Sequence, residues 1–413
     1  MKRVVFVAPF FLPATLQFVN AVAMQPDVTL GLVSQEPLDK LPEFIRSRLS
    51  GHYQVRECMD LDQLTKAVSF LISRFGGGLD RLLAALEQLQ EPLGHVRDRL
   101  GIPGMGAEVA RNFRDKGRMK DVLRDAGIPC ARHATVGSAQ AVLELVQQVG
   151  FPVVIKPPEG AGAVGTYRIK DRAELDRALQ ALQPGPSRPL VVEEFVTGRE
   201  NSIETVMVRG QAVWDSHTRY SPAPLHVLEN SWIQWAVLLP REVDDADTAA
   251  VRTHARAALR ALGMETGLSH MEWFHTSRGA VISEVAARPP GAQIMPLNSY
   301  AHDADFHALW ARLIIHEEFT PPVRKYATGV AFFRGQFLGR PGDGQGRIVA
   351  LHGLERAQQE IGHLVVEANL PKLGHHKRAT YEGDGYAILR HPDTAVVEQA
   401  LKRLVSLVQV EVA

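Results

Sequence analysis

The residue types best suited to chemistry lie in two short apolar runs, 270–274 and 282–288, on either side of the turn Ser277-Arg278-Gly279. A hairpin symmetric about Arg278 sets Glu272 directly opposite Glu284. Two carboxylates so placed repel one another, and a cation held between them removes the repulsion. Carboxylate oxygens with open coordination positions suit magnesium, which keeps water and substrate phosphates as its other ligands; manganese is the alternative ion. A bulge at Gly279 shifts the register by one and spoils the pairing. Two exposed glutamates on one hairpin are the competing reading. Arg288 falls two positions beyond Ala286 on the Glu284 face, where its guanidinium can hold an anion beside the metal.

A second group surrounds the loop Gly160-Ala161-Gly162-Ala163-Val164-Gly165, which has the G-x-G-x-x-G spacing. A dinucleotide fingerprint must open a helix, whereas 166–169 reads as a strand. Strand, glycine loop, strand is a flap whose backbone N–H groups, around Gly160, Gly162 and Gly165, can cover nucleotide phosphates. Lys156 ends the apolar strand 153–156 and is placed to meet phosphate oxygens beside that flap. Farther on, Glu193 and Glu194 interrupt the apolar run 190–196, ahead of Gly198-Arg199-Glu200. Carboxylates inside such a run are costly without partners; an adenine amino group, a lysine or ribose hydroxyls would serve. The alternative is an edge strand with one glutamate in water. Trp232 and Trp235, with His217, Arg219, Tyr220 and His226, either line a substrate pocket or belong to core and loop.

These residues need a scaffold of several lobes, and 413 residues are too many for one compact core. The composition, 45% apolar and 22% charged, is that of a globular protein. Lysine plus arginine equals aspartate plus glutamate, 46 each, which gives no electrostatic footprint for nucleic acid. Cys58 and Cys130 are the only cysteines, so a thiolate cluster is excluded and a reducing cytoplasm is the expected compartment. No apolar run reaches the ~18 residues of a membrane span. Lys2 and Arg3 ahead of an apolar run, with Ala21-Val22-Ala23 beyond it, imitate a signal peptide. Pro9 and Pro13 interrupt that run, and 4–8 reads instead as a buried parallel strand.

Along the chain, 4–8, 14–24 and 28–33 read as strand, helix and strand, a βαβ unit without a glycine-rich first turn. The glycines of 101–106 mark a seam. Helices are expected over 115–126, closed by Gly127, over 138–149 behind the cap Ser138, and behind the capping box Asp171 and Glu174. A long helix over 247–262, two short strands over 268–274 and 280–287, and a last helix over 394–407 complete the pattern.

Taken in order, these motifs resemble the ATP-grasp superfamily, most closely its carboxylate–amine ligases of the L-amino acid (dipeptide) ligase branch. The stretch Asp115-Lys116-Gly117-Arg118-Met119-Lys120 resembles the first nucleotide lysine and its helix, and 152–157 the second lysine strand. Residues 193–200 resemble the adenine and ribose hinge, and Glu272, Glu284 and Arg288 the metal and anion site. The resemblance implies an α/β fold with an N-terminal parallel βαβ lobe over 1–106 and a small α+β lid with the glycine flap over 107–189. A larger antiparallel α+β catalytic lobe over 190–320 and a C-terminal α+β cap over 321–413 complete it. It implies that Lys116 and Lys156 contact ATP phosphates. Glu193 then faces the adenine amino group, with Glu194 and the Val196 backbone alongside, and Glu200 binds ribose. Glu272 and Glu284 hold magnesium, and Arg288 stabilises an acyl phosphate and the tetrahedral intermediate. Ala286 stands where many members carry an asparagine ligand, which bears on the number of metal ions. The activity implied is ADP-forming ligation of a small carboxylic acid to an amine, in a cytoplasmic protein whose N-terminal lobe is the expected homodimer contact. A bicarbonate-using carboxylase and a non-catalytic ATP sensor or scaffold are the alternatives.

Overall fold

The computed structural model describes residues 1–160, 165–230, 232–337 and 346–413. Gly162, in the middle of the glycine loop, lies outside them.

The first lobe is a four-stranded parallel sheet in the order Leu49–Gln54, Val28–Ser34, Lys2–Val7, Arg81–Leu83. Its central strand is apolar on both faces because both are covered. Val4 and Phe6 pack with Phe18, Val19 and Val22 of helix Pro13–Ala23, while Val5 and Val7 pack with Leu64, Val68 and Leu71 of helix Leu61–Arg74. The expected strand, helix and strand are present; the third and fourth strands and the second helix were not legible in the pattern. Phe18 meets Trp310 edge-on at 5.0 Å, which fixes this lobe against helix Phe306–His316 of the catalytic lobe.

The lid is a second four-stranded sheet, ordered His133–Val136, Leu190–Glu194, Val153–Lys156, Tyr167–Ile169, with antiparallel pairings throughout. Helices Ala139–Val149 and Arg172–Leu182 bury Val153, Ile155, Leu190 and Val192 on one face. Period-two alternation leaves Val154, Lys156 and Glu193 on the other. Ser138 caps its helix on the Ala141 N–H, and Asp171 on the Glu174 N–H. Glu174 reaches back one residue further than a capping box requires, to the Lys170 N–H at 2.7 Å. Leu190–Glu194 is an interior strand of this sheet, so the edge-strand alternative does not hold. The division expected between 189 and 190 cuts the sheet, which runs to Glu194.

The third sheet has eight antiparallel strands: Gly279–Ala286, Gly267–Thr276, Arg199–Val208, Gln211–Ser221, Trp235–Leu239, Ala327–Phe333, Gly385–His391 and Val365–Asn369. Three of these strands come from beyond residue 321, so the expected C-terminal cap shares the catalytic sheet. Helix Ala246–Leu262 covers one face through Val251, Ala255 and Leu259 against Ile203, Met207, Met271 and Ile282. The strand Arg199–Val208 was missed because one of its faces carries Glu200, Ser202 and Glu204, which break the apolar alternation a strand is read by. Among the described residues no helix is long and apolar enough to cross a membrane.

Candidate active site

The acid hairpin owes its register to two local features. Thr276 pairs with Gly279, so the turn is the two residues Ser277 and Arg278, with Gly279 at φ +97° where a side chain would be strained. The hairpin is therefore not symmetric about Arg278, and that premise is corrected. Left regular, this register would aim Ser283 into the cleft and Glu284 toward the covering helix. A bulge between Ile282 and Glu284 inserts one residue and restores the pairing of Glu272 with Glu284. Ile282 and Val285 thus both stay in the apolar layer beneath helix Ala246–Leu262, and Glu284 turns into the cleft with Glu272.

Helix Lys116–Asp125 faces this hairpin. Asp115 caps it by accepting from the Gly117 and Arg118 N–H groups at 3.0 Å. A Cβ on Gly117 would come within 2.0 Å of Thr135 Oγ1, so any larger residue would force the Thr135 side chain to shift. Lys116 Nζ lies 3.0 Å from Glu284 Oε1 and donates to the Gly160 carbonyl at 2.9 Å, at the root of the flap. One turn later the fully buried Lys120 donates to the Ser283 carbonyl of the bulge at 2.5 Å and lies 3.1 Å from Glu193 Oε2. Lys156 Nζ is 2.7 Å from Glu193 Oε1. Glu193 is thus clamped between two buried ammonium groups, the lysine partners that its apolar run demands. Burial alone would raise its pKa, but Lys120 and Lys156 override that and hold it at about 2. Glu284 is likewise lowered, since Lys116 and Lys156 outweigh its burial.

Around Glu272 the balance differs. Glu204, 1% exposed, accepts from Ser202 and Thr218 and lies 2.8 Å from His270 Nδ1. Burial opposes charge on His270, yet Glu204 together with Glu272, 3.7 Å away, pushes its pKa up to about 9. Glu200 is pushed up to about 8, by burial first and then by Glu272. Arg288 reaches across to the N-terminal lobe, where its Nη2 and Nε lie 2.8 and 3.1 Å from Glu87 Oε2; Arg114 holds the other oxygen of Glu87 at 2.5 Å.

Lys116, Lys156, Gly160, Glu193, Glu194, Val196, Glu200, Glu272, Glu284 and Arg288 all line one cleft of about 1420 Å³, counted out to its mouth. Glu194 sits at its rim, paired with Arg132 Nε at 2.7 Å. Gly165 has φ +74° and packs against Pro157 beside the flap. The aromatic and basic stretch divides by strand periodicity. Tyr220 and Trp235 line the cleft; His217 lies across the sheet, 3.1 Å from Asp215, and Trp232 is exposed.

A family model described as the ATP-grasp domain matches residues 121–299, which span the lid sheet and the acid hairpin. The chain carries an ATP-grasp domain. Alanine–anticapsin ligase of Bacillus subtilis is 25% identical to it over 244 residues, 53% of this chain and 50% of that protein. D-Alanine–D-alanine ligase of Mycobacterium avium is 27% identical over 230 residues, 52% of this chain and 62% of that one. The chain therefore spans between half and two thirds of the length of these curated relatives. Its fold matches the crystal structure of L-amino acid ligase from Bacillus licheniformis with a TM-score of 0.75 at 17% identity, over 99% of this chain and 98% of that one.

The ATP-grasp cleft also contains groups that the motifs did not announce. Lys120 had a signal: with Met119 and Leu123 it continues the apolar stripe of its helix, where an ammonium needs a buried partner. Glu204 and His270 form a buried pair through adjacent strands. Glu87 had no signal, since it meets Arg288 from 201 positions away in another lobe. The fit of a divalent ion rests on the donor set. Among the described residues no three His, Cys, Asp or Glu side chains are grouped to hold a metal. Glu272 and Glu284 are register partners in the hairpin, and two carboxylates that leave other positions to water and phosphate would suit magnesium.

Proposed function

We propose that this chain is an ADP-forming carboxylate–amine ligase of the cytoplasm. The observation that carries this reading is the convergence of Lys116, Lys156, the Glu272–Glu284 pair and Arg288 on one cleft, which Gly160 and Thr166 also line. In this reading adenine lies between the lid and catalytic sheets, beside Val154, Phe195, Val196 and Ile282, with Glu200 on the ribose. Lys116 and Lys156 neutralise the phosphates. Glu193, already held by Lys120 and Lys156, orients Lys156 and closes the inner wall near the adenine amino group. Glu272 and Glu284 would hold magnesium, which supplies charge neutralisation and alignment of the phosphate chain when bound. The substrate carboxylate attacks the γ-phosphorus, giving an acyl phosphate and ADP. The amine then attacks the acyl carbon and phosphate leaves. Arg288, fixed by Glu87, stabilises the negative charge that develops on the acyl oxygen. Catalysis is mainly positioning.

The two free cysteines, Cys58 and Cys130, suit a reducing compartment. The test is product analysis over a panel of amino-acid pairs. ADP and phosphate release that requires both partners is expected. AMP with pyrophosphate would rule the mechanism out, and bicarbonate-dependent ADP release without an amine would reassign the cleft to a carboxylase.

A further inference from the structure

Lysines, glutamates and Arg288 line much of the cleft, and one stretch of its wall is apolar. Tyr220 and Tyr381 line the same cleft as Glu272 and Arg288, and Gly291 to Ile294 follow Arg288 closely in the chain. The strands of Tyr220 and Glu272 flank the same strand, Arg199–Val208, which puts this apolar stretch beside the proposed reaction centre. It is built by Tyr220, Leu225, Leu228, Trp235, Ile294 and Tyr381.

These residues form a continuous wall. Tyr220 and Trp235 have ring centroids 6.1 Å apart, and Trp235 meets Tyr381 edge-on at 5.7 Å. The Trp235 indole N–H is satisfied by the Tyr381 carbonyl at 2.7 Å. Glu382 accepts from the Ala292 N–H at 3.0 Å and ties the Tyr381 loop to the segment that follows Arg288. The Tyr381 hydroxyl lies 2.8 Å from where a Cβ on Gly291 would be. Leu225 and Leu228 sit one turn apart on helix Pro224–Glu229, whose Val227 points the other way into the core. Trp235 and Ile294 are buried, whereas Tyr220, Leu225, Leu228 and Tyr381 keep part of their surface open. Wall residues finished with packing would not be left so.

No charged side chain among the described residues lines the cleft from segments 220–235 or 291–294, or from Tyr381. A charged group placed here would lose water without gaining a partner. An apolar group would lose only water it does not need. We propose that this stretch receives the side chain of the carboxylate substrate, and that the substrate is a small acid with a branched aliphatic or aromatic side chain. Its carboxylate lies toward Arg288 and the Glu272–Glu284 pair. The proposal rests on the ligase reading for the placing of the carboxylate, but the side-chain preference follows from the wall itself.

The experiment is calorimetric titration of the full chain with L-leucine, L-phenylalanine, L-glutamate and L-lysine, in magnesium and a non-hydrolysable ATP analogue. Leucine or phenylalanine should bind about tenfold or more tighter than glutamate and lysine, as apolar-pocket discrimination allows. Leu228→Arg should reverse the order, losing about tenfold for leucine and gaining affinity for glutamate, a gain no unfolded variant can show. Leu228→Ala should weaken leucine less. Glutamate or lysine binding as tightly as leucine in the wild type overturns the proposal, as does failure of all four with the analogue bound. Failure of the analogue itself to bind sinks the ligase reading instead. The four probes titrated without nucleotide then decide the chamber by the same preference.

Discussion

Glu193→Gln keeps the shape of the side chain and removes its charge from between Lys120 and Lys156. In the wild type the carboxylate is 6% exposed, with an ammonium 2.7 Å from one oxygen and another 3.1 Å from the other. The two lysines hold its pKa at about 2, against an ordinary 4.5. At ~1.4 kcal/mol per unit, that shift corresponds to about 3 kcal/mol of stability at neutral pH. Breaking a buried ion pair by removing one partner costs a comparable ~3–5 kcal/mol. Because the folded pKa is depressed, this contribution is present in full above pH 4.5 and is lost as pH falls toward about 2. The lid should feel the loss first. Amide hydrogen exchange of Val153–Lys156 and Leu190–Glu194 should quicken roughly a hundredfold at pH 7, where local opening governs exchange. After correction for intrinsic rates, the gap between variant and wild type should narrow progressively as pH falls from 4.5 toward about 2. Amides of Lys2–Val7, in the other lobe, should not change. An unchanged lid at pH 7, or a gap that stays constant down to pH 3, would refute the clamp.

Other variants separate the remaining groups. Glu284→Gln removes half of the carboxylate pair and should lower turnover about a hundredfold or more while circular dichroism is unchanged; wild-type activity would remove the metal assignment. Lys156→Ala should weaken magnesium-ATP binding by roughly ten- to a hundredfold in calorimetry, the worth of one charge-assisted bond, and unchanged affinity would contradict its phosphate role. Glu87→Gln loosens the hold on Arg288, so kcat should fall about tenfold with the KM for ATP unchanged, as expected of a group that positions a stabilising charge. A raised KM for ATP instead would place Glu87 with the nucleotide.

What the sequence determined by itself was local. The caps Ser138 and Asp171, the lysine closing an apolar strand, and the glycines flanking it each act within a few residues. Helix Thr394–Leu407 was legible to its ends for the same reason. The pairing of Glu272 with Glu284 was foreseen, but from a symmetric turn that the chain does not make. What produces it is the bulge at Ser283, which exists because Ile282 and Val285 must both lie beneath helix Ala246–Leu262. Only the tertiary structure could decide that, since a residue inserted into a ladder depends on what covers the sheet. It also decided that Lys120 and Lys156 would share Glu193, and that Glu87 would fix Arg288 from another lobe. Burial leaves a charge no partner but the one that packing brings to it, and such partners carry no trace in the spacing of either residue's neighbours.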